Sequence, residues 1–491
     1  MPDPSWTSLL PPLLAIGLAI GTRQVYLSLG AGVWLGYALL VGGPLAGLGA
    51  AIEGAVGVFS DAGNTRVLLF TLVIGALIAT VEAAGGVKGF VEALEKRGWA
   101  TTPRGARLLS FLVGVVVFIE SNITVLVAGA VSRPLFDAQK RSREMLAYLI
   151  DSTSAAICIL IPLNAWGAYI LGLLGEVGVD EPLKLFVSAI PYNLYAISAV
   201  ILAGVVAVTG WAVGPMRRAE ARAAQGLRFD PDAAPDVDEA ALVPEPVGSI
   251  PARAVNMLLP LGALIVTMPL SLWATGRAAV ASAVAAGEMA AGDVSGLGYM
   301  LEGSGSTSVL WAVLTGLLVA WVLMLVQRGM TVEELTTTGL KGAGGMLGMA
   351  FVLLLALALG GITRELGAGV YVAGGVATAG VAPWLLLPLV FLTGAFVAFS
   401  TGTSWGTFAI MIPIAVPAAA ALGLPLAPFL AASLAGGIFG DHASPISDTT
   451  IVSSLAAATD HISHVRTQLP YALLAGGVTV LGFALVGALL G

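Results

Sequence analysis

Residues 439–454 read FGDHASPISDTTIVSS. Two aspartates, a histidine, four serines and two threonines stand here in the middle of a run that is otherwise apolar. The surroundings decide how this is read. The chain has 491 residues, 57% of them hydrophobic and 10% charged, and its mean hydropathy is +0.95. Soluble proteins carry about 25% charged residues, so a soluble domain of this composition could not cover its own surface. Long apolar runs recur along the whole length, as at 186–213 and 469–490. The 63 glycines and 26 prolines fit as well, since both are commoner in membrane helices than in soluble ones. The expectation is an all-α polytopic membrane protein, with the quoted polar stretch inside one of its spans.

Charge sets the topology. Basic residues cluster at Lys96–Arg107, Arg133–Arg143 and Arg217–Arg228, whereas 48–63 and 176–181 carry acids and no base. The positive-inside rule places the basic clusters in the cytoplasm. Spans are expected at 8–22, 25–44 and 66–85. The piece 108–132 has basic clusters at both ends and cannot simply cross. As a re-entrant hairpin, each arm has about 12 residues, or roughly 18 Å of helix, against a core of roughly 30 Å. Its tip falls at Glu120-Ser121-Asn122. Spans at 144–174 and 184–213 complete a first half, 1–213. Residues 214–254 are charged and Pro-rich and read as a solvated, mobile linker. The second half, 255–491, repeats the layout: spans at 256–274, 306–327 and 342–362, a hairpin at 383–423, then spans at 425–457 and 468–490. About ten spans and two re-entrant hairpins result.

The halves also share text. FLVGVVVFIESNIT (111–124) aligns with FLTGAFVAFSTGTS (391–404), and DSTSA (151–155) with DHASP (441–445). An odd number of spans per half turns the second copy upside down. Inverted repeats with broken helices at the midplane are a transporter architecture.

Four acids lie in these polar stretches: Glu120, Asp151, Asp441 and Asp448. Ionised and unpaired in a bilayer, they would together cost roughly 10 kcal/mol on insertion scales. No lysine or arginine accompanies them in the same apolar segments, so a bound cation or a proton is the expected compensation. Asp441, Ser444 and Asp448 are spaced i, i+3, i+7, which is one face of a continuous helix. Pro445 removes a backbone donor and frees carbonyls that need partners. Gly402 and Gly406 permit an open backbone at the second hairpin tip. Hydroxyls, carboxylates and carbonyls suit a hard cation such as Na⁺. The candidate cation and proton ligands are therefore Asp151, Ser152 and Thr153; Asp441, Ser444, Asp448 and Thr449; Glu120 and Asn122; and Thr403 and Ser404. Asp151, Asp441 and Asp448 would touch the metal ion. His442 has no second His or Cys near it in sequence, which argues against zinc. Cys158 is the one cysteine, so neither a disulfide nor a cysteine metal site is available. No resident cofactor is implied. A carboxylate that holds either Na⁺ or H⁺, but not both, couples their movements.

GDHASPISDTTIVSS (440–454) resembles the signature of the NhaC-type sodium/proton antiporters, and SREMLAYLIDSTSAAICILIPLNAWGAYI (142–170) resembles a second stretch of that family. The resemblance implies Na⁺ exchange for H⁺ across the inner (cytoplasmic) membrane, a scaffold–transport arrangement with two hairpins, and an elevator-like homodimer. It points to Asp151, Ser152, Thr153, Asp441, His442, Ser444, Asp448 and Thr449. Two positions depart from the family pattern: Ala443, where a cysteine is common, and the tip at Glu120-Ser121-Asn122, where an Asp-rich tip is common. The family is similar to exchangers of organic acids too, so a cation-coupled organic-acid or amino-acid exchanger is the alternative. His442, Asn164 and Trp166 could then line the substrate.

Other classes fit less well. Gly402-Thr403-Ser404-Trp405-Gly406 matches a serine-nucleophile pattern, but its lead-in is apolar and helical where a strand is required. An intramembrane aspartyl protease wants a glycine at 438, where Ile438 stands. A channel needs a continuous pore lining, and broken inverted repeats favour a gated carrier. No basic stripe suggests nucleic acid. MPDPSW at the N-terminus lacks a basic n-region. Lys88, Glu92 and Lys96 mark an amphipathic interfacial stretch, and His461 and His464 read as a solvated pair near the end of the Asp441 span.

Overall fold

Apolar runs in lipid must satisfy their backbone internally, which leaves helices as the available element. The computed structural model describes residues 5–22, 24–96, 102–116, 118, 121–162, 164–227, 250–290, 292 and 294–490, and no strand occurs among the described residues. The chain opens with α1 (Leu10–Thr22), α2 (Val25–Val41), α3 (Pro44–Gly57), α4 (Ala62–Ala83) and the amphipathic α5 (Gly86–Lys96). A first hairpin follows, α6 (Pro103–Val116) and α7 (Ser121–Ala138). Next come α8 (Arg143–Cys158) and α9 (Ala165–Glu176), then α10 (Pro182–Ala189), α11 (Leu194–Thr209) and α12 (Pro215–Ala224). The second half holds α13 (Val255–Ala285), α14 (Gly305–Val326), α15 (Val332–Gly345), α16 (Leu347–Glu365) and α17 (Ala368–Ala379). A second hairpin, α18 (Pro383–Thr401) and α19 (Ser404–Ala421), precedes α20 (Leu426–Ala443), α21 (Asp448–Ala457) and α22 (His461–Leu490).

Seven of these helices are long and apolar enough to cross a membrane by themselves, among the described residues. The bent pairs α2–α3, at 116°, and α10–α11, at 50°, raise the number to nine. The spans expected at 144–174 and 425–457 each split in two, into α8 and α9 and into α20 and α21, and none of the four pieces is among the helices long and apolar enough to cross by itself. The expected 256–274 span runs on as α13 to Ala285. Its 31 residues rise about 46 Å, more than a bilayer core. The arms of the first hairpin are longer than expected, because α6 takes in Arg107 and α7 takes in Arg133, both buried. Arg107 Nε donates to the Ala207 carbonyl at 3.1 Å. The arms of the second hairpin, α18 and α19, are each long enough to cross.

The linker does not begin as a free tether. Its first turns form α12, with Met216, Ala219 and Ala223 buried. Glu220 accepts from Ser142 N and Oγ at 2.9 and 2.7 Å and pairs with Arg141 at 3.0 Å, and Arg222 pairs with Glu144. The remainder, 228–249, lies outside the described residues.

Two groups of helices stand out, and the second carries the polar stretches. On one side α13 and α14 pack together, and α14 and α15 pack on α4. On the other, α18 packs on α20 and α22, while α7 and α8 pack on α21. The approach of α20 to α18 is close enough that a Cβ at Gly440 would sit 2.4 Å from the Ala395 carbonyl oxygen. The acidic loops converge as the charge pattern implies. Asp61, Asp180, Glu181 and Glu302 line one cavity of about 430 Å³.

Candidate ion and proton site

Pro445 lacks an amide hydrogen and cannot continue the helix ladder. Accordingly α20 ends at Ala443, Ser444 is extended (φ −80°, ψ 132°), and α21 starts at Asp448, capped by the Ser447 hydroxyl. This corrects the single-face reading of Asp441, Ser444 and Asp448, which assumed that one helix ran through Pro445. Asp441 sits in the last turn of α20, Ser444 in the break, and Asp448 at the first position of α21.

Asp441 is buried, with both carboxylate oxygens engaged. Ser404 Oγ donates to Oδ2 at 2.6 Å and Ser447 Oγ to Oδ1 at 2.5 Å. Ser404 opens α19, directly after the hairpin tip, so the cradle joins the second hairpin to the α20–α21 break. Gly402 makes that junction possible. Its φ is +70°, and a Cβ there would stand 2.4 Å from the Ile446 carbonyl oxygen. Ser444 Oγ donates to the Phe399 carbonyl at 2.7 Å, and Thr449 Oγ1 lies 3.0 Å from Ser447 Oγ. Asp448 is exposed and accepts from the Thr449 amide at 2.9 Å. Thr403 precedes α19 without a side-chain capping bond.

Asp151 lies mid-way along α8 and is also buried. Ser453 Oγ donates to Oδ1 at 3.1 Å and Gln468 Nε2 to Oδ2 at 2.6 Å. Two imidazoles stand just beyond: His442 Nε2 at 4.0 Å and His464 Nε2 at 3.9 Å from Oδ2. His442 links the centres, being one residue from Asp441 and contacting Ser152 Oγ at 3.1 Å and Tyr195 OH at 2.7 Å. Gln468 Nε2 also reaches the His442 carbonyl at 2.7 Å. The two helices with matching acids therefore meet in one hydrogen-bonded network.

Other candidates serve the framework. Thr153 Oγ1 donates to the Leu149 carbonyl of its own helix at 2.7 Å. Asn164 caps α9, accepting from Gly167 N at 3.1 Å, and donates to the carbonyls of Cys158 at 2.8 Å and Phe118 at 3.1 Å. Trp166 is buried against Trp405 and Phe408, with centroids 5.1 and 6.0 Å away. Glu120 and the side chain of Asn122 lie outside the described residues. No three His, Cys, Asp or Glu side chains gather as a metal site among the described residues. Asp441 has hydroxyl oxygens around it instead.

His461 and His464 correct the expectation of a solvated pair: His464 is buried, and both contact Ser454 Oγ. Sequence reading missed Gln468, Tyr195 and Ser447. A glutamine four residues after His464, at the head of an apolar helix, was the available signal for Gln468.

A family model described as the Na⁺/H⁺ antiporter family matches residues 158–488. The chain belongs to this family. An uncharacterised protein of Haemophilus influenzae is 35% identical to this antiporter over 495 residues, covering 98% of this chain and 90% of its own. The malate-2H⁺/Na⁺-lactate antiporter of Bacillus subtilis is 30% identical over 185 residues, 36% of this chain and 38% of its own. The crystal structure of the Alcanivorax borkumensis YdaH transporter superposes with a TM-score of 0.55 at 16% identity, covering 90% of this chain and 88% of that one. At that identity the likeness concerns the fold alone. The antiporter is thus a multi-pass membrane transporter and not a hydrolase, which disposes of the serine and aspartyl enzyme readings.

Proposed function

We propose that this antiporter exchanges Na⁺ for H⁺ across the cytoplasmic membrane by alternating access, with Asp441 holding the metal ion and Asp151 the proton. The observation that carries the reading is the hydroxyl cradle on Asp441, built from Ser404 and Ser447 at 2.6 and 2.5 Å. Each hydroxyl has one hydrogen and two lone pairs. With the cradle closed on itself, the hydrogens point at the carboxylate. When Na⁺ enters, they turn outward and both hydroxyl oxygens join the carboxylate as hard ligands. Asp151 has different company. An amide N–H occupies one oxygen and two imidazoles stand within 4.0 Å, a setting for exchanging protons. Gln468 bonds both the Asp151 carboxylate and the carbonyl of His442, the residue next to Asp441, so loading one carboxylate bears on the setting of the other.

In this reading the two parts of the chain, 1–213 and 255–491, are inverted repeats. Hairpin α6–α7 corresponds to α18–α19, and the interrupted α8–α9 to α20–α21. Moving a hairpin tip away from the α20–α21 break would open the Asp441 cradle to one side of the membrane.

The test uses reconstituted vesicles with an imposed pH gradient and a pH-sensitive dye. Adding Na⁺ dissipates the gradient with the native chain, and Asp441→Asn reduces the response to the level of empty vesicles. Undiminished exchange in Asp441→Asn removes the proposed Na⁺ carboxylate. Exchange of an organic acid is the second reading, favoured by the similarity to a malate/lactate antiporter over part of the chain. Vesicles preloaded with malate or lactate separate the two: Na⁺-driven efflux of the acid supports the second.

A further inference from the structure

Ser454 Oγ stands between two imidazoles, an arrangement that bears on proton supply to Asp151 and whose meaning rests on the Na⁺/H⁺ reading. His461 Nε2 lies 2.7 Å from the Pro445 carbonyl oxygen, which only accepts, so Nε2 carries a hydrogen. Gln468 directs its amide nitrogen at the Asp151 carboxylate and at the His442 carbonyl. Both accept, so the amide oxygen is the atom facing His464 Nε2 at 2.8 Å, and that Nε2 carries a hydrogen too. If both rings are neutral, both Nδ1 atoms are bare acceptors. Both point at the same hydroxyl: Ser454 Oγ is 2.9 Å from His461 Nδ1 and 2.8 Å from His464 Nδ1. The Thr450 carbonyl, at 2.8 Å, also asks for that hydroxyl hydrogen. Three acceptors compete for one hydrogen. Adding one proton satisfies both imidazoles, because one Nδ1–H donates to Ser454 Oγ and Ser454 O–H donates to the other Nδ1.

We propose that His461, Ser454 and His464 form a proton-binding relay that loads and unloads Asp151 from the end of α22. His461 is half-buried at the start of α22 and His464 is fully buried, so the relay runs from the helix end inward. A proton taken up by His461 places a hydrogen on its Nδ1. That hydrogen passes to Ser454 Oγ as the Ser454 hydrogen passes to His464 Nδ1. His464 then releases its Nε2 hydrogen to Asp151 Oδ2, 3.9 Å away, a gap closed by a small turn of the ring. One proton has moved from His461 to Asp151, and the ring resets by turning or when the proton returns. The groups facing His464 are few. Asp151 comes from α8, His442 from α20, and His461 and Gln468 from α22 itself. Tyr195 on α11 reaches it through His442, α18 carries no titratable side chain, and α12 turns Glu220 to Arg141 and Ser142.

The experiment compares two modes in the full-length protein reconstituted into vesicles: Na⁺-driven proton movement, and exchange of radiolabelled Na⁺ for unlabelled Na⁺ without a pH gradient. The second mode moves no net proton. Ser454→Ala is expected to slow proton movement by about 100-fold, the scale of a lost positioned proton-transfer group, and to leave Na⁺–Na⁺ exchange within about twofold. Ser454→Thr, which keeps the hydroxyl, restores proton movement. His461→Gln, at the half-buried end, slows proton movement and flattens its pH profile. Equal loss of both modes in Ser454→Ala and His461→Gln indicates a structural role and overturns the relay, as does no loss in either mode. If the native chain moves Na⁺ without protons, the Na⁺/H⁺ reading fails first.

Discussion

The two helix interruptions contrast sharply in how they are closed. Between α8 and α9, the clamp is an amide side chain, that of Asn164. Asn164 gives both amide hydrogens to the Cys158 and Phe118 carbonyls and its oxygen to Gly167 N. Between α20 and α21, residues 444–447 are closed by their own hydroxyls and by side chains from three helices, α19, α20 and α22. Ser404, Ser444 and Ser447 reach Asp441 or the hairpin, Gln468 takes the His442 carbonyl and His461 the Pro445 carbonyl. An amide clamp has fixed donors and a fixed acceptor, so the first interruption is a joint. Hydroxyls can reverse their polarity by rotating, so the second can change what it binds without being rebuilt. The lesson is that a broken membrane helix marks a site only where its polar groups exceed, and can outlast, the needs of the backbone.

Three substitutions sharpen the contrast. Asn164→Ala should have the largest effect on stability. It removes a cap and the buried donor to the Cys158 carbonyl, and leaves the Phe118 carbonyl to the Cys158 thiol alone, about 3 kcal/mol in all. Thermal unfolding in detergent should fall by several degrees, while the Na⁺ concentration for half-maximal exchange in the surviving protein stays the same. A change in that concentration would mean that the first interruption binds the ion as well. Gly402→Ala comes next. The left-handed backbone costs about 1–2 kcal/mol for an alanine, and the Ile446 carbonyl stands in the way, so the hairpin tip must back off and take Ser404 with it. Stability and Na⁺ affinity should fall together, measured by melting and by Na⁺ titration of exchange. Ser404→Ala is the mildest. Losing one hydroxyl on a carboxylate costs about 1.5 kcal/mol, or about tenfold in Na⁺ affinity, with melting nearly unchanged. Unaltered affinity would place the ion elsewhere than the Asp441 cradle.

Much of this was legible in the sequence, and the physical reason is locality. Membrane class follows from composition. The break at Pro445 and the turn at Gly402 are written in single residues, and Asp441 stands out because nothing nearby in sequence neutralises it. What failed had to cross either a break or a distance. The i, i+3, i+7 spacing of Asp441, Ser444 and Asp448 was read through the very proline that ends the helix. His461 and His464 looked solvated because sequence shows the polar run TDHISHVR and not that α22 turns His464 back against Asp151 on α8. Tyr195 reaches His442 from another helix, across 247 positions. Asn164 and Trp166 looked like substrate contacts because polar and aromatic residues near a break can be either lining or framework. In the structure Asn164 bonds the Cys158 and Phe118 carbonyls and Trp166 packs on Trp405.

The docking of α12 changes what the connector between the halves can do. Its first stretch is pinned by Glu220 to Ser142 and Arg141, and by Arg222 to Glu144, at the foot of the helix that bears Asp151. Any movement of α8 therefore carries this foot of the connector with it. The free length of the connector is then counted from Leu227 and not from Gly214.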